Sequence, residues 1–247
     1  MSLVLLPGFM LDAGLWDDIA PLLAPLGPIH HGDLFQDETL EAMAARVLAE
    51  APERFLLVGF SMGGFVAREV ARMAPDRVRA LVLVATSARG DSASQQARRR
   101  ALEGRPADQA FRGMSRSAIA RGLHPDRAGD TALVDRLRGM GDRLGGAVFL
   151  RQSRLARPDF DTRLGEITCP TLVVAAAQDA LRSVAESAEI AAGIPGARLR
   201  VIEGSGHMLP VEAPQELARL ILDFSAEAAL RNPPPGARED RTPEAAR

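Results

Sequence analysis

Four short runs of this chain are almost wholly apolar: Leu3 to Leu6, Phe55 to Val58, Ala80 to Ala85 and Leu172 to Ala176. A strand that is apolar at every position, not at alternate ones, must be covered on both faces. That is the condition of a parallel sheet sandwiched between helices. A fifth run, Ala197 to Ile202, alternates Arg198 and Arg200 with Leu199 and Val201, as a strand near the sheet edge does. Between these runs the apolar residues recur at helical spacing. Leu15, Ile19, Leu22, Leu23 and Leu26 predict one helix. Leu40, Met43, Val47 and Leu48 predict a second, stopped by Pro52, and Phe65, Val66, Val70 and Met73 a third, stopped by Pro75. Leu217, Leu220, Ile221 and Phe224 predict another near the end. Strand and helix in alternation imply an α/β fold with right-handed crossovers.

The alternation lapses once. Residues 89–165 carry no convincing strand, and about 75 residues is too long for a plain connection, so this stretch is expected to be a helical cap inserted in the core. The expected division is therefore a core of residues 1–88 and 166–230, a cap of 89–165, and a disordered tail of 231–247. The tail contains Pro233, Pro234 and Pro235 and too little apolar surface to pack.

Composition narrows the function classes. With 47% hydrophobic and 25% charged residues the 247-residue chain is of globular type, and a net charge of -2 supplies no basic field for nucleic acid. Its single cysteine, Cys169, cannot form an internal disulfide. The apolar start, Met1 to Gly8, is too short to span a membrane and lacks the marks of a secretory leader. A cytoplasmic enzyme that engages neither membrane nor nucleic acid is the expectation.

The chemistry begins at Gly59-Phe60-Ser61-Met62-Gly63-Gly64, directly after the buried run Phe55 to Val58 and opening the helix that ends near Pro75. G-x-S-x-G between a strand and a helix is a nucleophile elbow: the turn is sharp enough to strain the serine, and the glycines let strand and helix pass close together. The bland alternative is a glycine-rich turn with a capping serine. A serine hydroxyl needs a base, and the chain has four histidines: His30, His31, His124 and His207. His207 lies in the turn Gly204-Ser205-Gly206-His207-Met208 after the last strand, where it can reach across the top of the sheet. His30 and His31 precede the serine and read as structural residues near a short strand, and His124 reads as a helix-end residue. The third member, which orients the imidazole, is expected to be Asp179, at the carboxyl end of Leu172 to Ala177 and ahead of His207 in the chain. Its competing role is a helix N-cap. Glu203 is the rival acid, placed at the same strand end as the histidine, whereas Asp223 is helical and too far along. Donors for an oxyanion are expected from the backbone N–H of Met62 and of Phe9, since Pro7 has none to give.

Ser61, Asp179 and His207, with Pro7-Gly8-Phe9 ahead of them, resemble the α/β-hydrolase superfamily from about Leu3 to Phe224. Leu11-Asp12 through Trp16, Ala74-Pro75-Asp76-Arg77-Val78 and Cys169-Pro170-Thr171-Leu172 are similar to its small carboxylesterase-like members, the pimeloyl-carrier-protein methyl ester esterases among them. Departures are Pro7 where many relatives have histidine, and Ala176 where a glycine is usual. The resemblance implies a chain that begins at the fold's third strand, without the N-terminal hairpin, and hence a sheet of six parallel strands. It implies carboxylic ester hydrolysis through an acyl-enzyme on a small or medium acyl substrate, with neither cofactor nor metal. Thioester, lactone and carbon–carbon hydrolysis use the same residues and stay open, as does a non-catalytic binding module. The acyl and leaving groups and the oligomeric state stay undetermined. The cap holds sixteen arginines against nine acids, a local +7. That charge suits an anionic or carrier-protein-bound acyl group, and equally a merely solvated helical face.

Overall fold

In the computed structural model of the protein, residues 2–106, 111–159 and 161–231 are described. Six strands, β1 (Ser2–Leu6), β2 (Ile29–His31), β3 (Phe55–Phe60), β4 (Val78–Val84), β5 (Thr171–Ala176) and β6 (Arg198–Ile202), form one sheet in the order β2-β1-β3-β4-β5-β6. Every pairing is parallel. The six-stranded parallel sheet expected from the sequence is therefore the one observed, with the arginine-bearing strand at one edge and the short strand of His30 and His31 at the other.

The fully apolar strands are explained by what lies on either side of them. Leu3, Leu5, Leu56, Val58, Val82 and Val174 point to one face and pack with Leu15, Trp16, Ile19 and, from the last helix, Leu217, Ile221 and Phe224. Val4, Leu6, Leu57, Leu81, Leu83 and Val173 point to the other. There they meet α2 (Leu40–Glu50) through Met43 and Val47, and α3 (Met62–Met73) through Phe65, Val66 and Val70.

The helix expected over Leu15 to Leu26 is three short pieces instead: a 3-10 turn Ala13–Trp16, α1 (Ala20–Leu23) and a 3-10 turn Ala24–Leu26. Pro21 and Pro25 lack the N–H that would continue a helix, yet each suits the first turn of a new one. The apolar spacing survives because all three pieces lie on the same sheet face.

Between β4 and β5 come α4 (Ala93–Ala101), α5 (Arg116–Ala120), a 3-10 turn Pro125–Arg127, α6 (Thr131–Arg154) and a 3-10 turn Asp161–Glu166, with no strand among the described residues. Helix α6 is broken at Gly145, whose φ of 74° and ψ of -177° belong to glycine alone, so its last two turns run in a new direction. After β5 come α7 (Val184–Gly193), then β6, α8 (Leu209–Glu212) and α9 (Pro214–Arg231). Arg231, expected as the first residue of the tail, is the last of α9. The rest of the expected disordered tail lies outside the described residues.

The sheet order sets the place of the site. From β1 the chain steps outward to β2, then back past β1 to β3 and onward to β6. The reversal leaves a crevice at the carboxyl ends of β1 and β3, the place where such sheets bind ligands. The Phe9 loop leaves one lip of it and Ser61 stands on the other.

Candidate active site

Ser61 connects β3 to α3 with φ 51° and ψ -111°, outside the helical and extended regions that a side chain ordinarily allows. Strain of this kind, on the order of 1–3 kcal/mol, persists only where surrounding structure imposes it. Here the Ser61 N–H donates to the Val84 carbonyl (2.9 Å), while its own carbonyl accepts from Gly64 N–H (3.0 Å) and the Thr86 hydroxyl (2.7 Å). Close packing completes the turn. A Cβ at Gly63 would lie 2.4 Å from the Leu6 carbonyl oxygen, and one at Gly59 2.6 Å from the Ala67 Cβ. Helix and strand can approach this tightly because both positions lack a side chain.

His207 Nε2 lies 3.0 Å from Ser61 Oγ, and His207 Nδ1 lies 2.7 Å from Asp179 Oδ2. The other carboxylate oxygen of Asp179 accepts from the N–H groups of Leu181 (2.7 Å) and Arg182 (2.8 Å). The carboxylate is thus held at both ends, and neither it nor the imidazole is appreciably exposed. The Phe60 ring packs beside the imidazole, with centroids 5.1 Å apart and the two planes tilted by 47°. The helix-capping role weighed for Asp179 is not the one it has: the two N–H groups it accepts from lie in the turn ahead of α7, Val184–Gly193. The N-cap of α7 itself is Ser183.

The rival residues lie elsewhere. His30 and His31 are in edge strand β2, where burial lowers the His31 imidazole below its ordinary value and Asp17 opposes the shift. His124 caps the turn at Pro125, its Nδ1 accepting from Asp126 N–H. Glu203 is exposed and takes a hydrogen bond from the Gln178 amide, and Asp223 pairs with Arg219 along α9. The N–H groups of Phe9 and Met62, expected from the sequence as oxyanion donors, have no hydrogen-bond partner among the described residues.

Comparison with known proteins places the chain in a family. The Alpha/beta hydrolase family matches residues 3–220. The chain belongs to that family. A pimeloyl-acyl-carrier-protein methyl ester esterase of Aromatoleum aromaticum is 30% identical over 255 residues, covering 90% of this chain and 97% of the relative. Its counterpart in Klebsiella pneumoniae is 48% identical over a shorter stretch of 93 residues, 34% of this chain and about a third of that relative's length (36%). Among solved structures, an esterase from Thermogutta terrifontis with malate bound is similar at a TM-score of 0.78 and 26% identity, covering 92% of this chain and 90% of that one. An enol-lactonase from Burkholderia xenovorans shares the fold at a TM-score of 0.78 and 19% identity, with 91% of each chain covered.

In this α/β hydrolase the serine opens into a cavity of about 140 Å³. Its walls are apolar: Phe9 and Leu11 from the loop after β1, Met114, Ile119 and Leu137 from the residues between β4 and β5, and Leu181 and Met208 from the loops that carry Asp179 and His207. Phe9 also borders a second cavity of about 360 Å³, lined by Arg98, Arg99 and Arg157 together with Asp91 and Phe149. Among the described residues no helix is long and apolar enough to cross a membrane, and no group of three or more histidine, cysteine or acidic side chains could hold a metal ion.

Much of the basic charge between β4 and β5 is engaged in holding structure. Arg136 pairs with Asp18 and donates to the Gly14 carbonyl, Arg143 pairs with Asp12, and Arg116 pairs with Asp135. Three hydrogen bonds around the histidine loop left no mark in the sequence. Glu212 accepts from Gly206 N–H (3.0 Å) and from His124 N–H (2.7 Å), tying the histidine loop to the helical region, and the His207 N–H donates to the Gly122 carbonyl (2.7 Å). Gln152 on α6, fully buried, accepts from Met10 N–H and donates to the Leu34 carbonyl.

Proposed function

We propose that this protein is a serine hydrolase of carboxylic esters in which Ser61 is the nucleophile, His207 the general base and acid, and Asp179 the residue that orients it. The observation that carries the reading is the unbroken relay from Asp179 through both nitrogens of His207 to Ser61 Oγ, buried beside a strained serine.

With Asp179 accepting from Nδ1–H, the unprotonated Nε2 faces the serine. It takes the Oγ proton as Oγ attacks the ester carbonyl, and the imidazolium that forms is stabilised by the carboxylate. The negative charge developing on the carbonyl oxygen is received by the backbone N–H groups of Phe9 and Met62, the latter at the N-terminus of α3, whose dipole favours it. Collapse expels the alcohol, which takes its proton from Nε2. Water, deprotonated by the same nitrogen, then releases the acid and restores the serine.

The apolar cavity at Ser61 suits a small or medium acyl or alkyl portion. Its volume is close to the roughly 150 Å³ that encloses a benzene ring in an engineered protein cavity. The named substrate of the Aromatoleum relative, a carrier-linked pimeloyl methyl ester, favours an ester whose acyl chain ends in an anionic or carrier-bound group. The basic cavity beyond Phe9 favours the same choice. Arg99 and Arg157 pair with Asp91 there and Arg98 lines the same cavity, so positive charge is in excess on the far side of Phe9 from the serine. A cytoplasmic location belongs to the same reading, since a single cysteine suits a reducing compartment.

The experiment is a panel of methyl and nitrophenyl esters of rising acyl length, each in a neutral and an ω-carboxylate form, with matched thioesters and lactones. Turnover of the esters, with kcat/KM of the carboxylate forms falling as salt shortens the Debye length from about 10 Å at 0.1 M, supports the reading. Absence of ester turnover refutes the activity, and equal salt response of the two forms refutes the anionic acyl group.

A further inference from the structure

We infer that Gln152 is a positioning residue for the oxyanion donor Phe9, through which the helical region between β4 and β5 holds the catalytic loop of the core. The inference rests on the ester-hydrolase reading above and concerns how its oxyanion site is kept in place.

Gly8 to Leu11 is a tight turn closed by the Leu11 N–H on the Gly8 carbonyl (3.3 Å), with Phe9 and Met10 as its two central residues. Met10 holds a φ of 54°, a conformation in which glycine is usual and a long side chain is strained. Turns of this kind with methionine at that place relax unless something holds them. Gln152 does so: its Oε1 accepts from Met10 N–H at 2.8 Å, and its Nε2 donates to the Leu34 carbonyl at 3.2 Å in the loop after β2. All three residues are buried, so neither side of the contact can exchange its partner for water.

The reach is made possible by the break at Gly145, which redirects the end of α6 so that residue 152 meets the loop. The neighbouring Arg151 donates to the Phe35 carbonyl, so two successive side chains grip the loops at the carboxyl ends of β1 and β2. Fixing Met10 fixes the peptide plane on its N-terminal side and, through the turn, the direction of the Phe9 N–H. An oxyanion donor contributes only if aimed where the charge develops.

The test pairs two measurements. In the unaltered protein, the Met10 amide is expected to exchange with deuterated water as slowly as those of β1; exchange at the rate of an open loop overturns the inference. Gln152→Met keeps the volume and removes both hydrogen bonds. It is expected to lower kcat on a short neutral ester by about 10- to 100-fold, less than the 10²–10³ typical of losing a donor outright, with KM nearly unchanged. The inhibition constant of a trifluoromethyl ketone, whose adduct carries the oxyanion, rises by the same factor. Leu150→Ala, at a buried position of the same helix end that lines neither cavity, leaves the Gln152 hydrogen bonds in place and lowers Tm without moving the ratio of ketone to substrate affinity. Gln152→Met with wild-type kcat, or with equal losses for ketone and substrate binding, overturns the inference. If instead the ester-hydrolase reading fails, the unaltered protein shows no turnover at all, while Met10 protection still reports on the clamp.

Discussion

Asp179→Asn isolates the orienting role of the carboxylate, because the structure dictates which way the amide must turn. The oxygen that accepts from Leu181 and Arg182 N–H has to remain an acceptor, since an NH₂ group placed there would face two donors. The amide nitrogen therefore occupies the other position, 2.7 Å from His207 Nδ1. It donates, so Nδ1 must accept, and the single imidazole proton moves to Nε2, facing Ser61 Oγ. The ring then cannot take the serine proton. The fold is retained because the two backbone hydrogen bonds survive. The expected loss in kcat is on the order of 10⁴, as in other triads with this substitution, equivalent to about 5.4 kcal/mol of transition-state stabilisation. Steady-state kinetics on a nitrophenyl ester, with Tm recorded to show the fold is intact, measures it. Glu203→Gln, at an exposed acid that takes only the Gln178 amide, serves as the control and is expected to stay within about twofold. A kcat within tenfold of wild type for Asp179→Asn, or a large loss for Glu203→Gln, would refute the tautomer argument.

Three further outcomes follow from the packing. Gly63→Ala places a Cβ 2.4 Å from the Leu6 carbonyl oxygen, against backbone that cannot yield, and is expected to cost more than the 1–3 kcal/mol of ordinary overpacking, read as a lower denaturant midpoint and lost activity. Glu212→Gln leaves an NH₂ facing either Gly206 or His124 N–H; at about 1–3 kcal/mol for one unsatisfied buried donor it lowers Tm by roughly 2–12 °C, and thermal melts check this. Burial pushes the Cys169 thiol up to about 11, so at pH 8 the folded protein presents on the order of one thiolate in a thousand; a disulfide reagent should label it rapidly only after denaturation, and fast labelling of the native protein contradicts the burial.

What the sequence disclosed and what it concealed divide along the range of the interactions. The strands were legible because burial on both faces removes polar residues altogether, and β2 left no apolar run because its three residues are only partly covered. The apolar spacing over Leu15 to Leu26 marked a face that is buried at Leu15, Ile19 and Leu23 but exposed at Leu22, and the spacing of side chains does not record where Pro21 and Pro25 interrupt the backbone. Ser61 announced itself through glycines that are local to it. Asp179 and His207 stood out by position at strand ends; the sequence left Glu203 open, and what favours Asp179 is its 2.7 Å approach to His207, Glu203 being turned to the Gln178 amide. Gln152 carried no signal: it acts on a residue 142 positions away, within a stretch whose many arginines suggested a solvated or ligand-steering face. Part of that basic charge is spent on Asp12, Asp18 and Asp135 instead.

The central claim, that Ser61 is an activated nucleophile, is tested most directly by covalent trapping. Treated with a fluorophosphonate, the protein is expected to gain one phosphonyl group by intact mass, mapped to Ser61 by peptide sequencing. The adduct should be absent in Ser61→Ala and formed far more slowly in His207→Ala. A protein that takes no label, or takes it equally well in Ser61→Ala, would contradict the account and leave a hydrolase fold that binds without turnover.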